Sequence, residues 1–258
     1  MLQYFLPFTL VAVSAVSAQE LGKDWEIERL TWDGAVKTGD VIEVRNPFGD
    51  VRARGTPEQA VGISAMVQKN VKDSHRLDFK ITQDPGRLLI EVVYPGDLSE
   101  TVREGGKRRA DVTVYVPFGS PYSVRIFAGL IEAKGLKSDV DFESDKGKIF
   151  LRLAGHVRLK TRQADTVAYL LDTAFVKPAS FENQVGSTTV YLPSNASLAV
   201  TATTSGELTT DYSIDVERAP GAWLKKAKAV IGGGEHGLTL DSKNGPIKIL
   251  SGKWDVDG

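Results

Sequence analysis

The sequence predicts an all-β chain of stacked, repeating strand pairs, a β-solenoid with an N-terminal antiparallel β section as its cap or excursion. Three observations carry this. First, one pattern recurs: apolar, any, apolar, a mostly polar stretch, Gly, any, apolar, any, apolar. It reads Tyr122/Val124–Gly129–Ile131/Ala133 and again Val140/Phe142–Gly147–Ile149/Leu151. The same template fits Ile42/Val44–Gly49–Val51/Ala53, Ala179/Phe181–Gly186–Thr188/Val190 and Leu238/Leu240–Gly245–Ile247/Ile249, with a looser copy (Leu198, Val200, Ala202, Leu208) around Gly206. Alternation on both sides of a glycine is the signature of strand, tight turn, strand. Second, the glycines at 49, 129, 147, 186, 206 and 245 are separated by 80, 18, 39, 20 and 39 residues, near multiples of about twenty, as in a repeat protein. Third, the inward positions are nearly free of charge and proline, while the positions between them carry Arg125, Glu132, Glu143, Lys148, Arg152, Lys160 and Lys248. One such coil cannot bury its apolar face alone, and stacking makes a continuous core.

The chain begins MLQYFLPFTLVAVSAVSAQE. An apolar run from Phe5 to Val13, too short for a stable bilayer anchor, is followed by Val16-Ser17-Ala18, the small-residue pattern of a signal-peptidase site. Residues 1–18 are therefore expected to be an export signal, with the mature chain starting at Gln19. Residues 19–36, with Trp25 and Trp32, read as a lead-in strand or ordered arm covering the end of a core. The first template copy follows. Between Gly55 and Pro117 the template gives way to alternating runs at Val61–Val67, Leu77–Ile81, Leu88–Val93 and Val112–Val116. Asp84-Pro85-Gly86 makes a turn between two of these, so an antiparallel hairpin is expected there. The organisation is thus 1–18 signal, 19–116 N-terminal β section and 117–258 solenoid repeats, continuous with 36–116.

From Pro117 the repeat dominates. The slot between Gly147 and Gly186 is assigned to Asp165-Thr166-Val167-Ala168-Tyr169, with Asp165 at the corner in the left-handed conformation that Asp tolerates. Glycine suits such corners because positive φ costs a Cβ-bearing residue about 1 kcal/mol or more. Ala219–Val230 reads as a loop and short helix after Pro220-Gly221. The tail contains Trp254.

Of 258 residues, 41% are apolar, and 32 Lys+Arg against 33 Asp+Glu leave a net charge of -1. This balance argues against nucleic acid or an anionic membrane as the main partner. With no cysteine, disulfides, thiolate catalysis and cysteine-based metal sites are excluded. No stretch after Ala18 has the length and apolarity of a transmembrane helix. Charges alternating with the apolar positions, as in Val157-Arg158-Leu159-Lys160, oppose a membrane barrel.

The segments VIEVRNPFGDVRARG, VTVYVPFGSPYSVRIFAGLIEAKGL, DFESDKGKIFLRLAG, STTVYLPSNASLAVTATTSGELTT and IGGGEHGLTLDSKNGPIKIL together resemble a family of exported bacterial proteins known as putative adhesins. The resemblance covers roughly residues 40 to 250 and rests on the repeated strand–Gly–strand unit. It implies a β-solenoid resembling a parallel β-helix, in the cell envelope, and brings no active-site residues with it.

Several groups could carry chemistry. Asp139 and Asp141, two apart at a strand start, would place carboxylates about 7 Å apart on one face, within the range of glycosidase pairs. Asp139, Asp141, Glu143 and Asp145 offer alternate oxygen ligands to calcium; a solvated strand end has the same sequence. His75, His156 and His236 stand apart and read as surface or turn residues. Gly232-Gly233-Gly234 lacks the Lys-Ser/Thr ending of a phosphate loop and reads as a turn. Lys107-Arg108-Arg109 and Lys225-Lys226-Ala227-Lys228 are basic clusters able to touch anionic polymers, or simply solvated. Asn195-Ala196-Ser197 matches a glycosylation acceptor, and no Gly-x-Ser-x-Gly elbow is present. The run Thr201–Thr210 could form a flat polar face for a repetitive glycan or peptide, or reflect the β propensity of threonine. No residue is assigned as catalytic, cofactor-binding or metal-ligating. The expected function is a non-enzymatic exported envelope protein offering a surface to an envelope glycan or protein. The alternatives are a carbohydrate-active β-helix enzyme and a periplasmic accessory protein that binds a protein partner.

Overall fold

The computed structural model describes residues 24–73, 75, 77–95 and 108–252; the export segment 1–18, Lys107 and Trp254 lie outside these. Eighteen strands and no helix are found among the described residues. The first seven strands are β1 (Trp25–Ala35), β2 (Val41–Phe48), β3 (Val51–Thr56), β4 (Ala60–Asn70), β5 (Asp78–Asp84), β6 (Arg87–Val93) and β7 (Arg108–Pro117). Three long strands follow, β8 (Tyr122–Leu136), β9 (Val140–Ala154) and β10 (Val157–Asp172). Then come β11 (Ala179–Val185), β12 (Thr188–Leu192), β13 (Leu198–Thr204), β14 (Leu208–Thr210), β15 (Asp215–Glu217), β16 (Lys225–Ile231), β17 (His236–Asn244) and β18 (Ile247–Ser251).

Each template copy forms two arms meeting at its glycine. The first arms pair side by side in the order β6, β2, β8, β9, β10, β11, β17, β13, all parallel. The second arms pair in the order β7, β3, β8, β9, β10, β12, β18, β14, again parallel. Antiparallel pairs lie only at the two ends of this stack. At one end they are β5–β6 and β1–β4–β7, and at the other β13–β16–β15. The Asp84-Pro85-Gly86 hairpin forms as expected, between β5 and β6.

Period-two alternation decides which side chains go inside. Val44, Val124, Phe142, Leu159, Phe181, Leu240 and Ala202 stand in one inward column, and Ala53, Ala133, Leu151, Ala168, Val190 and Ile249 in another, all buried in one contiguous core. Leu30 and Trp32 of β1 meet Phe79 and Ile81 of β5 at the first end of this core, and Leu208, Tyr212 and Ile214 pack on the other.

The corner glycines stack. A Cβ at Gly129 would fall on the carbonyl oxygen of Gly49; at Gly147, on that of Gly129; at Gly186, on that of Ala164; and at Gly245, on that of Gly186. Close backbone approach, repeated level after level, is thus what excludes a side chain. Gly129 and Gly147 also have φ of +151° and +140°. Gly206 and Gly245 do not have positive φ, so only the close approach explains them.

Three expectations are corrected. The corners are not separate tight turns in β8, β9 and β10, where the strand runs unbroken through the bend. Asp165 is not the corner residue: Ala164 pairs with Gly147, Val157 and Leu159 stand in register with Val140 and Phe142, and no described non-glycine residue has positive φ. Lys225–Ile231 is a strand, not a helix, because Ala227, Ala229 and Ile231 bury every second position against β13, and that period overrides the helix preference of Lys and Ala. The spatial order also departs from the sequence order, since β17–β18 lies between β11–β12 and β13–β14.

Candidate binding faces

The residues alternating with the core form two outer faces. On the first-arm face two columns run across the strands, Glu43–Ser123–Asp141–Arg158–Ser180–Thr239–Thr201–Lys228 and Arg45–Arg125–Glu143–Lys160–Glu182–Asp241–Thr203–Lys226. Neighbouring rungs lie about 4.8 Å apart. Opposite charges interleave: Arg125 Nη2 donates to Asp141 Oδ2 at 3.0 Å and its Nε lies 3.2 Å from Glu143 Oε2. Arg158 Nη1 reaches both oxygens of Asp141 at 3.1 Å, and Arg162 grips Asp145 with two bonds of 2.6 Å. Arg45 and Arg87 converge on Glu43 at 2.6 and 2.7 Å. Burial raises the Glu43 pKa, but hydrogen bonds and charge from those two arginines outweigh it and hold the carboxyl below its ordinary range.

Between the second column and the corner runs an open groove of about 590 Å³ spanning β6, β2, β8, β9, β10 and β11. Its walls include Arg45, Arg125, Glu143, Asp145 and Arg162, with Pro47 and Phe127 on the corner side. Phe127 is braced by Phe48, with ring centroids 5.3 Å apart, and Lys146 sits 5.7 Å over its face. Under the groove floor lies a buried, mostly polar column of Asn46, Ile126, Ser144, Thr161 and Asn183. Its two asparagines satisfy corner carbonyls: Asn46 Nδ2 donates to Ala110 O and Asn183 Nδ2 to Ala164 O, both at 2.7 Å.

The four acids considered for calcium or catalysis share this outer face but divide between two depressions. Glu143 and Asp145 line the groove; Asp139 and Asp141 line a second hollow of about 290 Å³ with His156 and Arg158. Three of the four are engaged by arginines. Among the described residues no group of three or more His, Asp or Glu is placed to hold a metal.

The remaining sequence candidates have structural partners. His156 Nε2 donates to Pro178 O and His236 Nδ1 to Phe175 O, both at 3.0 Å, pinning the loop between β10 and β11. His75 sits 3.2 Å from Asp73, which forms a buried pair with Arg108. Arg109 turns to Asp50 and Asp111, so the described part of that basic cluster is internally paired. The triple glycine is a strap crossing the start of β13, where a Cβ at Gly232 would strike Ala196 O. Lys226 and Lys228 stand beside Thr203 and Thr201, so the structure brings the basic cluster and the threonine run together. Within the run, a threonine meets another at Thr201–Thr239 while Thr203 abuts Asp241, so the run does not form a plain threonine face.

On the second-arm face the sequence reading missed an aromatic stack. Tyr169 and Tyr191 are parallel, with centroids 4.5 Å apart and planes 5° apart, and Phe150 joins Tyr169 at 5.6 Å. The signal was an aromatic at the same distance past the corner in two successive units. Ring faces turned on one another stabilise the ladder and leave little face for a ligand. Also unforeseen is the work of the carboxylates after the corner. Asp50 Oδ1 accepts from Leu130 N at 3.2 Å, and Asp165 Oδ1 from Ser187 N and Oγ at 2.9 and 2.7 Å, tying each level to the next. The two Ser187 bonds, hydroxyl first, hold Asp165 below the usual carboxylate range.

No helix among the described residues is long and apolar enough to cross a membrane. No family model matches the chain, and no curated protein matches it. Among solved structures it is similar to a putative cell adhesion protein from Clostridium sporogenes at 13% identity and a TM-score of 0.46, covering 87% of this chain and 100% of that one. It is also similar to a putative adhesin from Bacteroides fragilis at 12% identity and a TM-score of 0.24, covering 87% of this chain and 97% of that one.

Proposed function

We propose that this is an exported, non-enzymatic envelope protein of the adhesin type, whose two ladders close as a β-solenoid resembling a parallel β-helix. Residues from about 36 onward act as one unit, covered at its first end by the antiparallel strands. In this reading the first-arm groove takes an extended neutral glycan lying across the strands. The observation that carries it is the groove itself, about 590 Å³ across six in-register strands, with Glu143 already held by Arg125 and Asp145 by Arg162. Paired groups are fixed in orientation, so they present donors and acceptors to hydroxyls without the desolvation cost of a lone charge. Asp145 is bidentate to Arg162, so both of its oxygens are occupied and neither is turned to a reacting bond. The alkyl stems of the arginines, with Pro47 and Phe127, give an apolar floor of the kind sugar C–H faces pack on. A pyranose chain also advances by about one strand spacing per ring, so each level meets an equivalent unit.

The test is retention on insoluble envelope polysaccharides with and without Arg125→Ala and Arg162→Ala, checking that each variant keeps its melting temperature. The reading expects at least a tenfold loss for the double variant and weak dependence on salt. Retention unchanged by either substitution overturns the groove. A tagged copy protected from protease until the outer layer is permeabilised would redirect the search to periplasmic protein partners.

A further inference from the structure

The position of β17–β18 separates two parts of the molecule that otherwise do not pair. β17 takes β11 on one side and β13 on the other, while β18 takes β12 and β14. Without this strand pair, a slot one strand wide would divide β1–β12 from β13–β16. The slot is completely specified: Leu238, Leu240, Ile247 and Ile249 are buried in it, and Gly245 continues the corner stack on Gly186.

The path into the slot is unusual. The seven residues Leu198–Thr204 of β13 pair antiparallel with β16 and parallel with β17. The chain therefore leaves β16 on one side of β13, crosses its start, and enters on the other side. Successive elements ordinarily lie next to each other, and connections avoid straddling a strand. The crossing is made by Gly232-Gly233-Gly234, with φ of +59° at Gly232 and +69° at Gly234. It is held by Gly234 N to Ile231 O at 3.3 Å, Glu235 N to Ser197 Oγ at 3.3 Å and His236 N to Ser197 O at 3.1 Å, with the His236 ring donating to Phe175 O at 3.0 Å.

We propose that β17–β18 is an exchangeable strand pair, which a second copy of this chain can supply to the same slot. Every ladder and core contact of the segment is reproduced in the exchanged form. Only the glycine strap differs, and it no longer has to cross β13. Exchange of an identical element is a low-cost route to an assembly when the hinge is the only part that changes. The slot stays open until residues beyond 235 arrive, so a neighbouring copy competes for it during folding. This inference is independent of the groove.

The chain has no cysteine, so introduced thiols report cleanly. Ser180 and Thr239 are outward cross-strand partners on β11 and β17. One full-length copy carrying Ser180→Cys and another carrying Thr239→Cys are unfolded together, refolded over a range of concentrations and oxidised. Exchange predicts a disulfide-linked heterodimer whose fraction rises with concentration. It also predicts that Gly232→Ala, whose methyl would meet Ala196 O in the closed strap, raises that fraction severalfold. A chain bearing both cysteines, oxidised while monomeric, should link internally and lose the ability to exchange. Light scattering serves as the second readout. Monomer at every concentration overturns the proposal, as does a dimer that never forms the Ser180–Thr239 link although the double variant links internally.

Discussion

At Gly147 two demands coincide that can be separated by experiment. Its φ is +140°, and a Cβ there would lie inside the Gly129 carbonyl. Gly86 has φ of +81° with nothing within 4 Å of the position a Cβ would take. Gly86→Ala is expected to cost about 1 kcal/mol, the backbone term alone. Gly147→Ala should cost more than about 3 kcal/mol, because the backbone of two levels must also separate. Urea unfolding of both variants checks the difference, and equal losses would mean that φ alone selects the glycines. Asp241 gives a second single-residue prediction. Burial chiefly, and the Glu182 charge, push its pKa up against the opposing pull of Lys243. A carboxyl whose folded pKa is raised favours the fold in its neutral form, so that contribution is present at low pH and is lost as pH rises through the folded value. Asp241→Asn should therefore raise stability at neutral pH, by less than about 1 kcal/mol given its partial exposure. The gain should disappear in acid, which thermal melts at two pH values would show.

Among elements, the loop after β4 is held to β7 by Asp73 and Arg108, with Arg108 Nε 2.5 Å from Asp73 Oδ2 and both side chains 3% exposed. Burial raises the Asp73 pKa, but the hydrogen bond and charge of Arg108, with the bonds from His75, overcome this and leave it lowered. Removing one partner strands a buried charge, so Arg108→Met is expected to cost about 3–5 kcal/mol, and the Asp73→Asn/Arg108→Met pair much less. Because the folded pKa of Asp73 is depressed, its contribution holds above the unfolded value and fades as pH falls through the folded one. The wild type should thus lose stability in acid faster than the double variant. Nothing in the sequence marks this pair, since 35 residues separate its members. Neighbouring strands were legible because alternation is local: Val140/Phe142 and Ile149/Leu151 announce their inward face without reference to anything else. Ala164 was missed at its corner because only the shape of the stack shows that a methyl is accommodated at that level. The short helix expected over Ala219–Val230 failed because Lys and Ala suit helices, while the alternation through Lys226, Ala227, Lys228 and Ala229 suits a strand, and burial against β13 decided between them. The groove was invisible because it exists only between columns drawn from β6, β2, β8, β9, β10 and β11.

For the whole molecule, the uniform parallel middle and the inserted strand pair imply unequal cooperativity. β8, β9 and β10 are continuous through the corner and joined to each other along both arms, so opening one exposes its neighbours. β13–β16 are joined to the rest through β17–β18 alone among the ladders described. In a linear array, stability is nearly a sum of unit and interface terms, so weakening one interface uncouples what lies beyond it. Leu240 is fully buried on β17. Leu240→Ala should cost about 2–5 kcal/mol locally, and hydrogen exchange should accelerate in β13, β14 and β16 while protection in β8–β10 stays near that of the wild type. Leu151→Ala, buried equally deep in β9, should instead speed exchange in the middle of the stack. If Leu240→Ala accelerated exchange everywhere by the same factor, β17–β18 would be one rung of a single cooperative unit rather than the joint on which the C-terminal end hangs.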